Sequence, residues 1–251
     1  LASLRIQLPG AAFKMDVRPL LKLVLNAFLG SSTGLVDMCV EHLPSAAEAS
    51  KAATTTAPPD SVLARAIERC DAQGPLLIQI AKVYPTSDAT EFRAFGRVLS
   101  GTVSCGQSVK VLGPTYTPED EEDMAVETVS GVYVAEARYA VHAPGVPAGN
   151  WVLLSGIDAT IAKSATVCDT ALPVADTYVL RPIVHMTESV LKVAIEPLRP
   201  AELPKMLDGL RKVNKCYPLV STRVEESGEH TLLGTGELYL DLSLIHIDAA
   251  D

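Results

Sequence analysis

No Cys-x-x-Cys pair occurs in this sequence; its five cysteines, Cys39, Cys70, Cys105, Cys168 and Cys216, are scattered singly. That argues against a zinc ribbon, and the odd count argues against a disulfide framework and for a reducing compartment. Positive charge is short as well: 21 Lys and Arg face 30 Asp and Glu, a net charge of −9. The chain lacks the electrostatic footprint of a general nucleic-acid binder and the basic face of a peripheral membrane protein, although a local basic patch can survive a negative total. No apolar run reaches the roughly 18 residues of a membrane span; the richest, Leu20 to Leu29, is broken by Lys22 and Asn26. Neither Met nor a signal-peptide pattern opens the chain, so it is expected to begin inside something longer. Global disorder is excluded, because 48% of residues are hydrophobic and 20% charged. A chain of 251 residues suffices for one large domain or two small ones.

Catalytic signatures are missing too. A phosphate-cradling loop needs G-x-x-x-x-G-K-[ST], which is absent, and Gly234-Thr235-Gly236 fails as a dinucleotide fingerprint because Tyr239 stands where the third Gly belongs. A tight strand-to-helix turn explains those glycines better. The five histidines, His42, His142, His185, His230 and His246, form no H-E-x-x-H pair. Ser104 is not in a nucleophile elbow. Glu225, Glu226 and Glu229 beside His230 read as solvated hairpin charges, and Trp151 as core or barrel rim rather than a platform for bases. No catalytic, cofactor-binding or metal-ligating residue is singled out.

What is present is pattern. Val17, Leu20, Leu21, Val24, Leu25 and Phe28 predict a helix over 16–29, with Asp16 as N-cap and Gly30 as stop. Leu35, Val36, Cys39, Val40 and Leu43 predict a second, capped by Ser32 or Thr33 and ended by Pro44. Residues 45–60 are low in complexity and read as a linker or exposed loop, and 62–69 as one more short helix. From Leu76 short β-rich runs follow (76–84, 92–103, 107–113, 128–141, 149–157), punctuated by Gly, Pro and Ser, and predict a small barrel or sandwich. Glu119 to Asp123 interrupt them as a solvated acidic loop. After Pro173 come a strand at 190–195, a helix at 200–215 striped by Leu203, Met206, Leu207, Leu210 and Val213, a strand, a two-residue turn at Ser227-Gly228, a return strand and another helix. That order is a ferredoxin-like split βαβ lacking its last strand.

Two strings carry a resemblance. Phe95-Gly96-Arg97-Val98-Leu99-Ser100-Gly101-Thr102, with Gly106-Gln107 and Val109 to Gly113, resembles the second-domain barrel of translational GTPases. Glu225-Glu226-Ser227-Gly228-Glu229-His230, with Gly234-Thr235-Gly236-Glu237-Leu238, resembles the third domain of the elongation factor 2 and elongation factor G superfamily. Within it, Thr117 to Asp123, Val146 to Leu153, Leu203 to Lys215, Val17 to Leu21 and Thr33 to Val40 resemble the spliceosomal branch, the GTPases of the U5 small nuclear ribonucleoprotein.

The resemblance covers roughly residues 13–241 and implies a multidomain β plus α/β chain. Residues 1–45 would be the last helices of a GTPase domain, 46–75 a linker, 76–172 the barrel and 173–251 a truncated ferredoxin-like domain. It implies a nuclear protein of pre-mRNA splicing that relays nucleotide state through the barrel and the domain after it. It implies as partners a large scaffold protein, a helicase and U5 RNA, with no membrane. GTP and Mg are implied only for a region upstream of Leu1; Asn214-Lys215 is not a guanine-reading motif, since Tyr217 stands in the Asp position. Cations open to a partner would be Arg211, Lys212 and Lys215, or Arg93 and Arg97. The competing readings are a translation elongation factor acting in ribosomal translocation, and a stand-alone non-enzymatic binding module. Two departures stand out: Arg199 replaces the family's Asn before the helix-opening Pro200, and Leu242 to Ile247 leave the pattern.

Overall fold

The computed structural model describes residues 6–30, 33–53, 61–86, 90–119, 122–137, 139–174 and 177–241. The chain divides into two compact units, Leu1–Ser45 and Ala46–Asp251.

Among its described residues the first unit holds a 3-10 turn and two helices, α1 (Val17–Leu29) and α2 (Thr33–His42). Both fall where the apolar spacing puts them. Asp16 is the N-cap residue of α1, but its side chain accepts no capping hydrogen bond, and Gly30 ends the helix. Ser32 lies outside the described residues. No residue of either helix is buried, and Val17, Leu21, Leu25 and Phe28 keep their apolar face in solvent.

The second unit opens with a departure from expectation. The stretch 45–60, read as a linker or exposed loop, begins with a helix, α3 (Ala46–Ala53), which packs on α4 (Val62–Glu68), the short helix expected at 62–69. Alanine is the strongest helix former, and this outweighs the low complexity of the stretch. Ser50 is buried and its hydroxyl donates to the Ala46 carbonyl; residues 54–60 lie outside the described ones. Ser61 caps α4 through a bond from the Ala64 amide.

Thirteen strands follow among the described residues. Those of the barrel are β1 (Leu77–Pro85), β2 (Phe92–Ser100), β3 (Thr102–Ser104), β4 (Ser108–Leu112), β5 (Met124–Thr128), β6 (Gly131–Glu136), β7 (Tyr139–His142), β8 (Gly145–Pro147), β9 (Trp151–Ser155) and β10 (Ala165–Asp169). Eight form one antiparallel sheet in the order β5-β4-β10-β1-β2-β9-β6-β7, while β3 pairs with β8. The inward side chains, among them Ile78, Ile80, Val98, Val109, Val132, Leu154 and Val167, share one core. At Leu76-Leu77-Ile78 and Val98-Leu99 the alternation stops because both faces are covered. Leu63, Ala64 and Ile67 of α4 pack on Leu77, Leu99, Leu112 and Cys168 from outside. Of the acidic run, Glu119 and Glu122 are exposed and Asp120 and Glu121 lie outside the described residues. Asp123 accepts from the amide and hydroxyl of Thr115.

The last three strands, β11 (Leu191–Ile195), β12 (Ser221–Val224) and β13 (His230–Gly234), form an antiparallel sheet in the order β11-β13-β12. Helix α5 (Leu203–Cys216) connects β11 to β12. Two strands flanking a later one, with a helical crossover between them, define the split βαβ. Leu210 and Val213 of the predicted stripe are buried against Val220, Leu232 and Leu240, whereas Leu203 at the helix start is 38% exposed. The hairpin turn is longer than expected. The Val224–His230 pair and the bond from the Glu225 amide to the Glu229 carbonyl leave a three-residue loop, 226–228, closed by the Gly228 amide on Glu225 O. The residues after Asp241, where the sequence leaves the pattern of the family it resembles, lie outside the described ones.

Arg199 supplies no side-chain cap, and the chain enters α5 through a 3-10 turn, Pro200–Glu202. An Asn side chain there would accept an otherwise unpaired first-turn amide. Arg199→Asn is therefore expected to raise stability by about 1 kcal/mol. The wild-type contact it removes is an exposed 3.8 Å pair with Glu202, worth little. Thermal melting of the two proteins checks this.

Candidate functional site

The structure divides the five cations. Lys215, in the last turn of α5, reaches across to the barrel: its Nζ lies 2.8 Å from Asp158 Oδ2, donates also to the Asp158 carbonyl, and stands 4.7 Å over the Phe92 ring. Lys163 answers from the barrel side, donating to the carbonyls of Pro218 at 3.1 Å and Val220 at 2.6 Å. Lys212 is held by Asp208 one turn back, at 3.0 Å. Two lysines on opposite sides thus clasp the barrel to the end of α5 and the residues after it; separately, ahead of β11, the Leu180 amide donates to the buried Thr166 hydroxyl at 2.8 Å. No spacing rule could find this pair, because Asp158 and Lys215 are 57 residues apart.

Apolar contact lies beneath the clasp. Cys216 belongs to the barrel core, and Tyr217 packs on both that core and the core of the ferredoxin-like sheet, meeting Tyr239 edge-on at 5.7 Å. Burial pushes the Cys216 thiol up to about 11, so it is protonated and unreactive at neutral pH. Burial also holds Lys163 below the ordinary lysine range; its two carbonyl acceptors satisfy the ammonium that remains. These groups build a joint between the barrel and the split βαβ sheet.

The other motifs resolve into structure. Glu225 accepts from Lys192 at 2.7 Å and from the Thr231 hydroxyl at 3.1 Å, and those two bonds hold its carboxyl below the usual range. An ionised, doubly bonded carboxylate ties β11 to the hairpin and is a poor proton carrier. The glycine of Gly234-Thr235-Gly236 serves packing: Leu240, from the helical turn at 237–241, fills the space that a Cβ on Gly234 would take. Asn214-Lys215 sits inside α5 with its ammonium engaged by Asp158, and among the described residues no three His, Cys, Asp or Glu side chains cluster in a way that could hold a metal ion.

Of the two sequence readings of Trp151, core and barrel rim, the structure removes the first: Trp151 is 46% exposed on the outer barrel surface, stacks on Phe95 and lies beside Arg97. The alternation of β2 was the available signal, since buried Ala94, Gly96 and Val98 turn Arg93, Phe95 and Arg97 outward together.

Comparison with known proteins gives this architecture its class and then its family. Residues 92–168 match the family profile described as Elongation factor Tu domain 2. The chain therefore carries an elongation-factor-type second domain, followed here by the split βαβ unit. It is 48% identical over 96% of its length to two Arabidopsis thaliana proteins, the 109 kDa U5 small nuclear ribonucleoprotein component GFL and the 110 kDa U5 small nuclear ribonucleoprotein component CLO, covering 25% of each. It is also 48% identical over 97% of its length to pre-mRNA-splicing factor cwf10 of Schizosaccharomyces pombe, again covering 25% of that protein. The chain belongs to this family of U5 small nuclear ribonucleoprotein components, a branch of the elongation-factor superfamily, and spans about a quarter of the length of the curated relatives it matches.

Proposed function

We propose that this chain is the middle, non-catalytic part of a splicing GTPase. In this reading it acts in the nucleus, in pre-mRNA splicing, within the U5 small nuclear ribonucleoprotein. The observation that carries it is identity of 48% along 96% of the chain, which takes in the barrel, α5 and the hairpin alike, to proteins whose names place them in that particle or in splicing. The nucleotide and its metal would be bound by another region of the parent protein. The barrel and the ferredoxin-like unit would pass its state on as one body, because the two-lysine clasp and the Cys216–Tyr217 contact join them. The surfaces presented are therefore interfaces, for a scaffold protein, a helicase and U5 RNA.

The test is purification of the tagged parent protein from nuclear and cytoplasmic extracts. Recovery of U5 RNA and its associated proteins is the expected outcome. Sedimentation with ribosomes, without U5 RNA, would overturn the reading in favour of a translation factor.

A further inference from the structure

The outer face of the barrel sheet, where β1, β2 and β9 adjoin, carries groups that the fold does not use. The register sets Lys82 beside Phe95, Tyr84 beside Arg93, and Trp151 beside Arg97. Phe95 and Trp151 stack with centroids 4.9 Å apart and planes within 8° of parallel, and Tyr84 meets Phe95 edge-on at 5.7 Å. The Lys82 ammonium stands 4.9 Å over Tyr84, and the Arg93 guanidinium 4.5 Å over the Tyr133 ring. Trp151 and Tyr84 nevertheless remain 46% and 43% exposed. Among the described residues no carboxylate pairs with Lys82, Arg93 or Arg97, and the Nε atoms of both arginines are buried without an acceptor. On a chain of net charge −9, three unneutralised cations among half-exposed rings form a local field of the opposite sign.

Along β2 the order is cation, ring, cation at every second residue, a repeat of roughly 6.7 Å. The two arginines, four residues apart, therefore stand about 13 Å from each other, about twice the separation of successive phosphates in an extended strand, so they suit alternate phosphates. Ring faces for bases and cations for phosphates are what single-stranded nucleic acid requires. A duplex keeps its base faces stacked and could use only the charges. An acidic peptide would likewise use only the charges and leave the Trp151 ring in water. We infer that this face binds single-stranded RNA, one base stacking on Trp151 while the phosphates lie against Lys82, Arg93 and Arg97. The choice of RNA over DNA rests on the splicing role proposed above.

Trp151 is the chain's one tryptophan, so its emission reports directly on the proposed contact. Titration of the 251-residue chain with single-stranded oligouridine should quench that emission saturably, and added salt should weaken the effect. An RNA duplex of equal length should not quench it. With a labelled oligouridine followed by anisotropy, Trp151→Ala and the double change Arg93→Gln with Arg97→Gln should each weaken binding about tenfold. Circular dichroism should stay unchanged. If the double variant does not fold, Lys82→Gln carries the test, with a smaller loss expected in the same direction. Unquenched Trp151 at saturating oligouridine would overturn the inference. So would equal quenching by polyglutamate, which would assign the face to an acidic protein segment. Because this assay needs only the purified chain and an oligonucleotide, its failure leaves the splicing assignment standing; failure of the purification test does not touch the oligonucleotide result.

Discussion

Lys215→Ala is expected to free the ferredoxin-like unit from the barrel at a cost of about 2–3 kcal/mol, while the barrel itself stays folded. The lysine and Asp158 side chains are only 17% and 24% exposed, so the pair is partly desolvated. Truncating one partner leaves the other as an uncompensated charge, which costs more than the pair contributes as a unit. The contact with the Phe92 ring is lost with it. The readout is the thiol beside the lesion. Cys216 packs in the barrel core with its titration pushed up to about 11, chiefly by burial, so a thiol reagent near pH 8 should pass it over in the native chain. In the variant, water reaches Cys216, its titration falls toward the ordinary thiol range, and labelling at this position should rise at least tenfold. Emission from Trp151, on the far side of strand β2 from the core, should not change. A companion replacement of Asp158 by Asn with Lys215 by Met should recover most of the loss, because no charge is then stranded. Unaltered protection of Cys216 in Lys215→Ala would show that the apolar contact through Tyr217 holds the joint unaided.

The clasp also marks where sequence reasoning reaches its limit. Strands β1, β2, β4 and β6 were legible because side chains on one face are more buried than on the other, β9 because its β-forming run is bounded by Gly149-Asn150 and Gly156, and α5 because its apolar stripe meets a single sheet. The 1-3-2 order of the final sheet followed from the succession of elements, since a split βαβ can close in few ways. Strand β10 escaped notice because Ala165 to Cys168 are buried on both faces and show no alternation. Helix α3 was hidden by small residues that carry no apolar stripe, although their propensity alone favours a helix. The joint was illegible for a different reason. Lys163, Asp158 and Lys215 look like ordinary surface charges until two separate units are brought together, and their partners are largely backbone carbonyls, which leave no trace in side-chain identity. Trp151 lay between these cases: its neighbours in sequence are core residues, and only the pairing of β9 with β2 shows that its ring faces outward, against Phe95.

Gly96→Ala should destabilise the barrel by about 3 kcal/mol. Gly96 points inward on β2, opposite Ile80 and next to the irregularity in β1 between Ile80 and Lys82. A Cβ built there would lie 2.5 Å from the Gln79 carbonyl oxygen and 2.7 Å from Ile80 Cδ1. The first neighbour is backbone in the β1–β2 ladder and cannot yield without breaking register; the second is a side chain 1% exposed, packed on all sides. Close-packed interiors relax little, so the methyl must be accommodated by strain in both strands. The displacement would pass directly to the outer face, because Phe95 and Arg97 flank the glycine and pair across to Leu153 and Trp151. Urea unfolding followed by Trp151 emission should therefore show a lower midpoint and an altered native spectrum. Gly236→Ala is the matched control: nothing lies within 4 Å of its Cβ position, so its midpoint should shift by no more than about 0.5 kcal/mol in stability. If Gly96→Ala behaved like that control, β1 would have to be free to move away from β2, and the rigid barrel on which both the joint and the aromatic face depend would be the wrong description of this chain.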